Sequence, residues 1–223
     1  MLQARLEHMG ADLTIVYEST RSFTGLEKTV SDLTGLENVL HYVVEGGVSA
    51  DPWANEYAYR REAFEYLFTL GLPDDAIIAV CDVDEFLDLE LIRPELCVWN
   101  MTKYQMSARW FQQVEWASLS GALKHFKGKD VIDLIRTREY LPVVEGGWHL
   151  SSFFSLEDLQ TKWRNFSHQE LVRENMQQWV ETCWLEGRAV ENGKPMTQLS
   201  EVGNIPAAVL DGPQFWFRTR EDT

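Results

Sequence analysis

The feature that most limits what this chain can fold into is the run Ala76-Ile77-Ile78-Ala79-Val80-Cys81, which passes without a break into Asp82-Val83-Asp84-Glu85. A continuous apolar run of that length fits a strand buried on both faces of a parallel sheet. Its surroundings agree. Leu2 to Met9 reads as the end of a short helix, and Asp12 to Tyr17 as a β-rich run ending at Glu18. Ser19 to Gly35 reads as a loop, and Val39 to Val44 as a second strand closed by Glu45-Gly46-Gly47. Trp53 to Leu70 reads as a helix, with Asp51-Pro52 at its start and Gly71 just past its end. Helix, strand, strand, helix, strand predicts an α/β fold with a mixed, mostly parallel central sheet flanked by helices.

The second half is less regular. Cys97 to Trp110 and Trp148 to Phe154 read as strands, and Leu156 to Phe166 and Gln169 to Leu185 as helices. Beyond Gly187, glycines and prolines predict an irregular C-terminal extension over 187–223. No linker divides the 223 residues, so one domain over 1–223 is expected.

Lys plus Arg number 20 and Asp plus Glu 35, a net charge of −15. Such a chain repels phosphate backbones, which argues against broad nucleic-acid binding. It still allows a small phosphorylated ligand held through a cation. The acidity also serves solubility by itself. Cys81, Cys97 and Cys183 are far apart and form no C-x-x-C pair, so neither a disulfide framework nor a structural zinc site is expected. No signal peptide is visible, and no apolar run approaches the ~20 residues of a membrane helix. A cytoplasmic protein is therefore expected. Asn100 and Asn165 stand in glycosylation patterns that arise readily by chance.

In open α/β sheets ligands sit beyond the carboxyl ends of the strands. Asp82, Asp84 and Glu85 stand there and repel one another unless something neutralises them. Within a strand, residues two apart share a face. Asp82 and Asp84 can then address one site while Val83 points into the fold. Hard oxygens favour Mg²⁺ or Mn²⁺, and such a cation can bridge a diphosphate. The alternative is that these acids cap a following helix or are merely solvated.

At this point the chain resembles glycosyltransferase family 17, the family of the β-1,4-mannosyl-glycoprotein β-1,4-N-acetylglucosaminyltransferases. The resemblance is carried by an ordered set of segments. They are Ile15-Val16-Tyr17-Glu18-Ser19-Thr20 with Phe23-Thr24-Gly25 and Lys28, then Trp53-Ala54-Asn55-Glu56-Tyr57 with Arg60. Asp82-Val83-Asp84-Glu85 follows, then Gly146-Gly147-Trp148-His149 with Ser151, and Phe166-Ser167-His168-Gln169-Glu170. The resemblance implies a GT-A type nucleotide-sugar-binding fold. It implies an inverting transfer, typically of N-acetylglucosamine from UDP to a glycan acceptor, with Mn²⁺ or Mg²⁺. It implies that Asp82 and Asp84 form a D-x-D site, Asp84 as the more direct ligand and Asp82 on metal or ribose, with Glu85 an acid the family also carries. The family's first strand has no counterpart ahead of Leu2, so an incomplete nucleotide pocket is a second expectation. The enzyme is then of bacterial or viral type, since the animal members are membrane-anchored.

The remaining candidates each have a plainer reading beside them. His149, after two glycines that would let backbone approach a ligand, suits a third metal position; otherwise it is a hydrogen-bonded, partly buried histidine. His168 competes for that role, though Ser167 and Glu170 also spell a capping box. Arg60 can grip a diphosphate or pair with Glu56 one helical turn earlier. Glu18 closes a strand where a nucleotide base would lie; Thr24 and Lys28, in the adjacent loop, suit a phosphate or uridine role or belong to a plain surface loop. An inverting transfer needs a base. Glu157 or Asp158 fits, though acids in a first helical turn also serve the dipole. Trp110, Trp116 and Trp148 can stack on sugars or fill the core. Two rival functions use the same residues: another metal-dependent enzyme, such as a nucleotidyltransferase or phosphatase, and a non-catalytic sugar- or partner-binding module.

Overall fold

The computed structural model describes residues 1–46 and 49–217, apart from the side chains of Trp116 and Phe215. In chain order the elements are α1 (Leu2–Met9), β1 (Thr14–Ser19), β2 (Val39–Val44), α2 (Pro52–Thr69), β3 (Ile77–Val80), β4 (Glu85–Phe86), β5 (Cys97–Gln105), β6 (Trp110–Ala122), α3 (Val131–Arg136), β7 (Val143–Ser151), α4 (Leu156–Asn165), α5 (Met176–Glu186), β8 (Thr197–Gln198) and α6 (Ala207–Leu210). The first three elements and α2 follow the sequence pattern. Asp51 caps α2 by accepting from the Trp53 amide at 3.0 Å, with Pro52 in the first turn.

The sheets differ from the expected arrangement. β1 and β2 pair in parallel as a separate two-stranded sheet. The larger sheet runs β3-β6-β5-β7-β4, with β8 on β6. Within it only β5 and β7 are parallel, and the other pairs are antiparallel. The mixed α/β character holds, but the mostly parallel central sheet does not. Residues 106–109 alone join β5 to β6, a link too short for the crossover that parallel strands require. The apolar run at 77–80 is an edge strand paired only with β6, and Ile77 is 44% exposed. Its inner side chains pack on the α2–α3 core of Phe64, Leu67, Phe126 and Ile132, which is why the run is apolar.

Residues 82–84 are not a strand either. They form a turn in which the Glu85 amide donates to the Asp82 carbonyl at 3.1 Å. Val83 is 47% exposed rather than pointing inward. The expected helix from Gln169 is a short 3-10 turn, Gln169–Leu171, followed by α5. Ser167 does not cap it: its hydroxyl is buried and finds no partner among the described residues.

The C-terminal extension is irregular yet packed. Ala189, Val190 and Met196 join the α4–α5 core with Trp110, Leu159 and Trp163. Ile205, Val209 and Trp216 join Ala4, Phe86, Tyr104 and Phe153 in another core. The Trp216 indole donates to the Phe153 carbonyl at 2.9 Å, and the Trp216 carbonyl accepts from the Ala108 amide at 2.7 Å.

Candidate active site

Register builds the site. Glu85 on β4 stands opposite His149 on β7, His149 opposite Lys103 on β5, and Lys103 opposite Gln113 on β6. Directly opposed residues share a face, so one row of polar side chains crosses four strands. Glu85 and Lys103 are buried, and His149 is largely so. Ionisable groups buried in a sheet are costly unless paired or hydrogen-bonded; Lys103 and His149 pair with Glu115, and Glu85 accepts hydrogen bonds.

Gly146 and Gly147 set the row. Between Asn100↔Glu145 and Thr102↔Trp148, β7 spends one residue more than β5. That bulge shifts the pleat and so decides which face His149 occupies. Gly147 has φ +83°, and a Cβ there would lie 2.7 Å from the Phe86 carbonyl oxygen. The glycine therefore admits close approach of β4, not of a ligand.

His149 bridges two carboxylates. Nδ1 bonds the Glu115 carboxylate, and Nε2 lies 3.7 Å from Oδ2 of Asp84. Burial alone would depress the imidazole, but Asp84 and Glu115 override it and raise it to about 10. Burial likewise opposes the charge on Glu115, and His149 and Lys103 hold it at about 2. Asp84 lies well below the ordinary carboxylate range, because His149 outweighs the burial penalty and Lys162 adds its field. Glu115 also accepts from Lys103 at 3.2 Å and Gln113 at 3.1 Å. None of Glu115, Lys103 and Lys162 was legible as a site residue. They stand on distant elements without a local motif, and only the sheet register brings the first two together.

Asp82 turns the other way. Arg60 grips its carboxylate with two bonds at 3.0 and 3.2 Å while bonding Glu56 at 3.0 Å. The helical pair expected for Arg60 is present, and the guanidinium reaches the turn as well. Burial works against its charge, and Asp82 and Glu56 more than restore it. Arg5 from α1 donates to the Asp82 carbonyl at 2.7 Å and to the Glu85 carbonyl. Glu85 accepts from Ser118 at 2.7 Å and from the Asp82 amide at 2.9 Å; burial and the neighbouring Asp82 charge raise its carboxyl.

The other candidates are dispersed. Glu18 is saturated by Lys28 at 2.7 Å, the Ser31 amide at 3.0 Å and His41 at 3.1 Å, which tie the 20–31 loop to β1 and β2. Burial opposes its charge, but Lys28 and Ser31 leave it lowered. Thr24 lies 3.4 Å from the Asn165 side chain at the end of α4. His168 bonds Glu170 at 2.6 Å and meets the Trp53 ring edge-on at 4.3 Å. Asp158 shares a reciprocal cap with Ser155, at 2.7 and 3.1 Å, while Glu157 is exposed. Trp110 is fully buried, and the Trp148 indole bonds the Asn204 carbonyl. The Trp116 side chain lies outside the described residues.

Among the described residues, no three His, Cys, Asp or Glu side chains converge as a metal cage. The Asp84 and Asp82 oxygens are nonetheless hard and anionic, as Mg²⁺ or Mn²⁺ prefers. Asp82 faces Arg60 and Asp84 faces His149, so two protein cations stand where a metal would compete. His149 turns Nε2 toward Asp84, 3.7 Å from its Oδ2, while Nδ1 is taken by Glu115.

The family model for glycosyltransferase family 17 matches residues 1–187. No curated protein and no solved structure matches the chain. Among the described residues, no helix is long and apolar enough to cross a membrane.

Proposed function

The chain belongs to glycosyltransferase family 17, and from that premise we propose that it transfers N-acetylglucosamine from a UDP donor to a glycan acceptor, with inversion and with the help of a divalent cation. The observation that carries the reading is the family match over 1–187, which spans the whole Asp84–His149–Glu115 constellation. Asp84, with Asp82 beside it, would hold Mn²⁺ or Mg²⁺. When bound, that cation offsets charge on the departing diphosphate.

The chain's own residues have distinct tasks. His149, fixed by Glu115, orients the Asp84 carboxylate and keeps it ionised. Arg60 holds Asp82 with its forked end while Nε bonds Glu56, and so fixes that carboxylate beside the metal position. Glu157 takes the acceptor hydroxyl's proton; it is exposed, and its carboxylate has no bonded partner among the described residues, whereas Asp158 is engaged in its cap and Glu85 lies buried under Ser118. A base for an inverting attack must be free to receive that proton.

The test is a thermal-shift titration with UDP, with and without Mn²⁺, on the wild type and on Asp84→Ala, followed by product analysis with UDP-sugars. Ligand that binds only the folded state raises its stability by mass action. A Mn²⁺-dependent rise lost in Asp84→Ala, and transfer abolished in the same variant, is the expected result. Unchanged turnover in Asp84→Ala sinks the metal role. A wild type indifferent to UDP under every condition favours a sugar- or partner-binding module instead.

A further inference from the structure

Lys162 is a cation with no carboxylate at ion-pair distance among the described residues, in a chain that carries 35 acids against 20 Lys and Arg. It rises from α4, and its direct contacts are uncharged. Nζ donates to the Ser152 hydroxyl at 3.3 Å and stands 5.4 Å from the ring centroids of both Phe154 and Phe166. Aromatic faces attract an ammonium without neutralising it. They hold it in place and leave its charge available.

Ser152 is itself unusual. It is a non-glycine residue at φ +60° and is 1% exposed. The Phe154 amide closes the turn onto its carbonyl at 2.8 Å. A left-handed conformation in such a residue persists only where the surroundings impose it, and such residues gather at functional sites. The turn also lies beside the acidic one. The Leu150 amide donates to the Asp84 carbonyl at 2.8 Å, two residues before Ser152. The Ser152 hydroxyl that holds Nζ thus stands two residues along the chain from the backbone bond to Asp84.

We propose that Lys162 is a phosphate-binding residue: its ammonium takes an oxygen of the donor's diphosphate beside Asp84, held in position by Ser152, Phe154 and Phe166. This rests on the nucleotide-sugar reading above. A lysine retained only to cover two phenylalanine rings would need its stem and not its charge, and the two roles separate experimentally.

The experiment measures UDP affinity in Mn²⁺ by calorimetry for the wild type, Lys162→Met and Lys162→Arg, and Mn²⁺ affinity without nucleotide by electron paramagnetic resonance. Methionine keeps the apolar stem. Loss of a charged hydrogen bond predicts UDP binding weaker by roughly tenfold or more in Lys162→Met, with most of it restored in Lys162→Arg. Mn²⁺ alone should bind Lys162→Met as well as the wild type or tighter, because a cation beside Asp84 has been removed. Equal UDP affinity in wild type and Lys162→Met overturns the proposal and leaves the donor reading standing. Parallel loss of UDP and Mn²⁺ with a falling melting temperature overturns it in favour of a packing role. A wild type that binds no UDP brings down the donor reading and this proposal with it.

Discussion

Replacing His149 by glutamine tests the constellation at its centre. The imidazolium sits between Asp84 and Glu115, and the three side chains are only 15%, 16% and 22% exposed. Its value rises from 6.5 to about 10, which corresponds to at most about 5 kcal/mol of favourable interaction. Glutamine removes the charge and leaves Asp84 and Glu115 without it. Glu115 keeps Lys103 and Gln113, so the loss falls on the order of 3 kcal/mol, at the low end for one partner of a buried pair. The pH dependence has a definite sign. A raised histidine contributes fully below its unfolded value of 6.5, and that contribution is lost as pH rises through about 10. The two carboxylates act in the opposite direction: their lowered values give stability that disappears only in acid, for Glu115 down to about pH 2. Urea unfolding in EDTA at pH 6, 8 and 10 should therefore show a wide gap between wild type and His149→Gln at pH 6. It should shrink to within about 1 kcal/mol at pH 10, where about half of the imidazole has lost its charge and most of the charge-linked stabilisation is gone. A gap that stays constant across this range refutes the charged bridge and reduces His149 to packing.

Two further predictions concern what holds the site in register. Gly147→Ala adds a Cβ 2.7 Å from a backbone oxygen at φ +83°, and should cost roughly 2–4 kcal/mol in urea unfolding; a change under about 0.5 kcal/mol would mean that β4 and β7 are not in tight contact there. Asn55, 2% exposed, donates to the Phe23 carbonyl at 2.8 Å and the Ser49 carbonyl at 2.9 Å and accepts from the Ser49 amide at 3.0 Å. Asn55→Ala should cost about 2–3 kcal/mol and speed amide exchange at residues 20–26, and unchanged protection there would show that the loop is held by other contacts.

Much of the fold was legible where a local rule decides the outcome. Asp51-Pro52 starts α2, the helix expected from Leu156 forms as α4, and the β-rich runs at 14–19 and 39–44 pair as strands. Strand direction was not legible, because an apolar run such as Ile77–Val80 reads the same at a sheet's edge as at its centre when a helix covers one face. The acids at 82–85 were legible as a cluster, but their aim was not. A turn sends Asp82 to Arg60 and Asp84 to His149, whereas a strand would have sent both to one side. Glu115 and Lys103 could not have been found without the β7 bulge, since one residue of slip moves His149 to the opposite face. The Ser167–Glu170 pattern failed as a cap because His168 and Glu170 bond each other and Ser167 is buried.

The packing of Ile205, Val209 and Trp216 against Ala4, Phe86 and Phe153 has a consequence for biosynthesis. A ribosome releases the helix that bears Ala4 long before Trp216. Phe86, which directly follows the acidic turn, therefore waits for residues 205–216 to emerge before the side chains that bury it are available. Until then the nascent chain exposes an apolar surface next to a concentration of negative charge, the kind of surface that invites chaperones or misassembly. Vectorial folding can prepare the α2–α3 core early, because its helices and strands have all emerged by residue 136. The backing of the acidic turn cannot form until residues 205–216 have emerged, so its assembly lags behind that of the α2–α3 core.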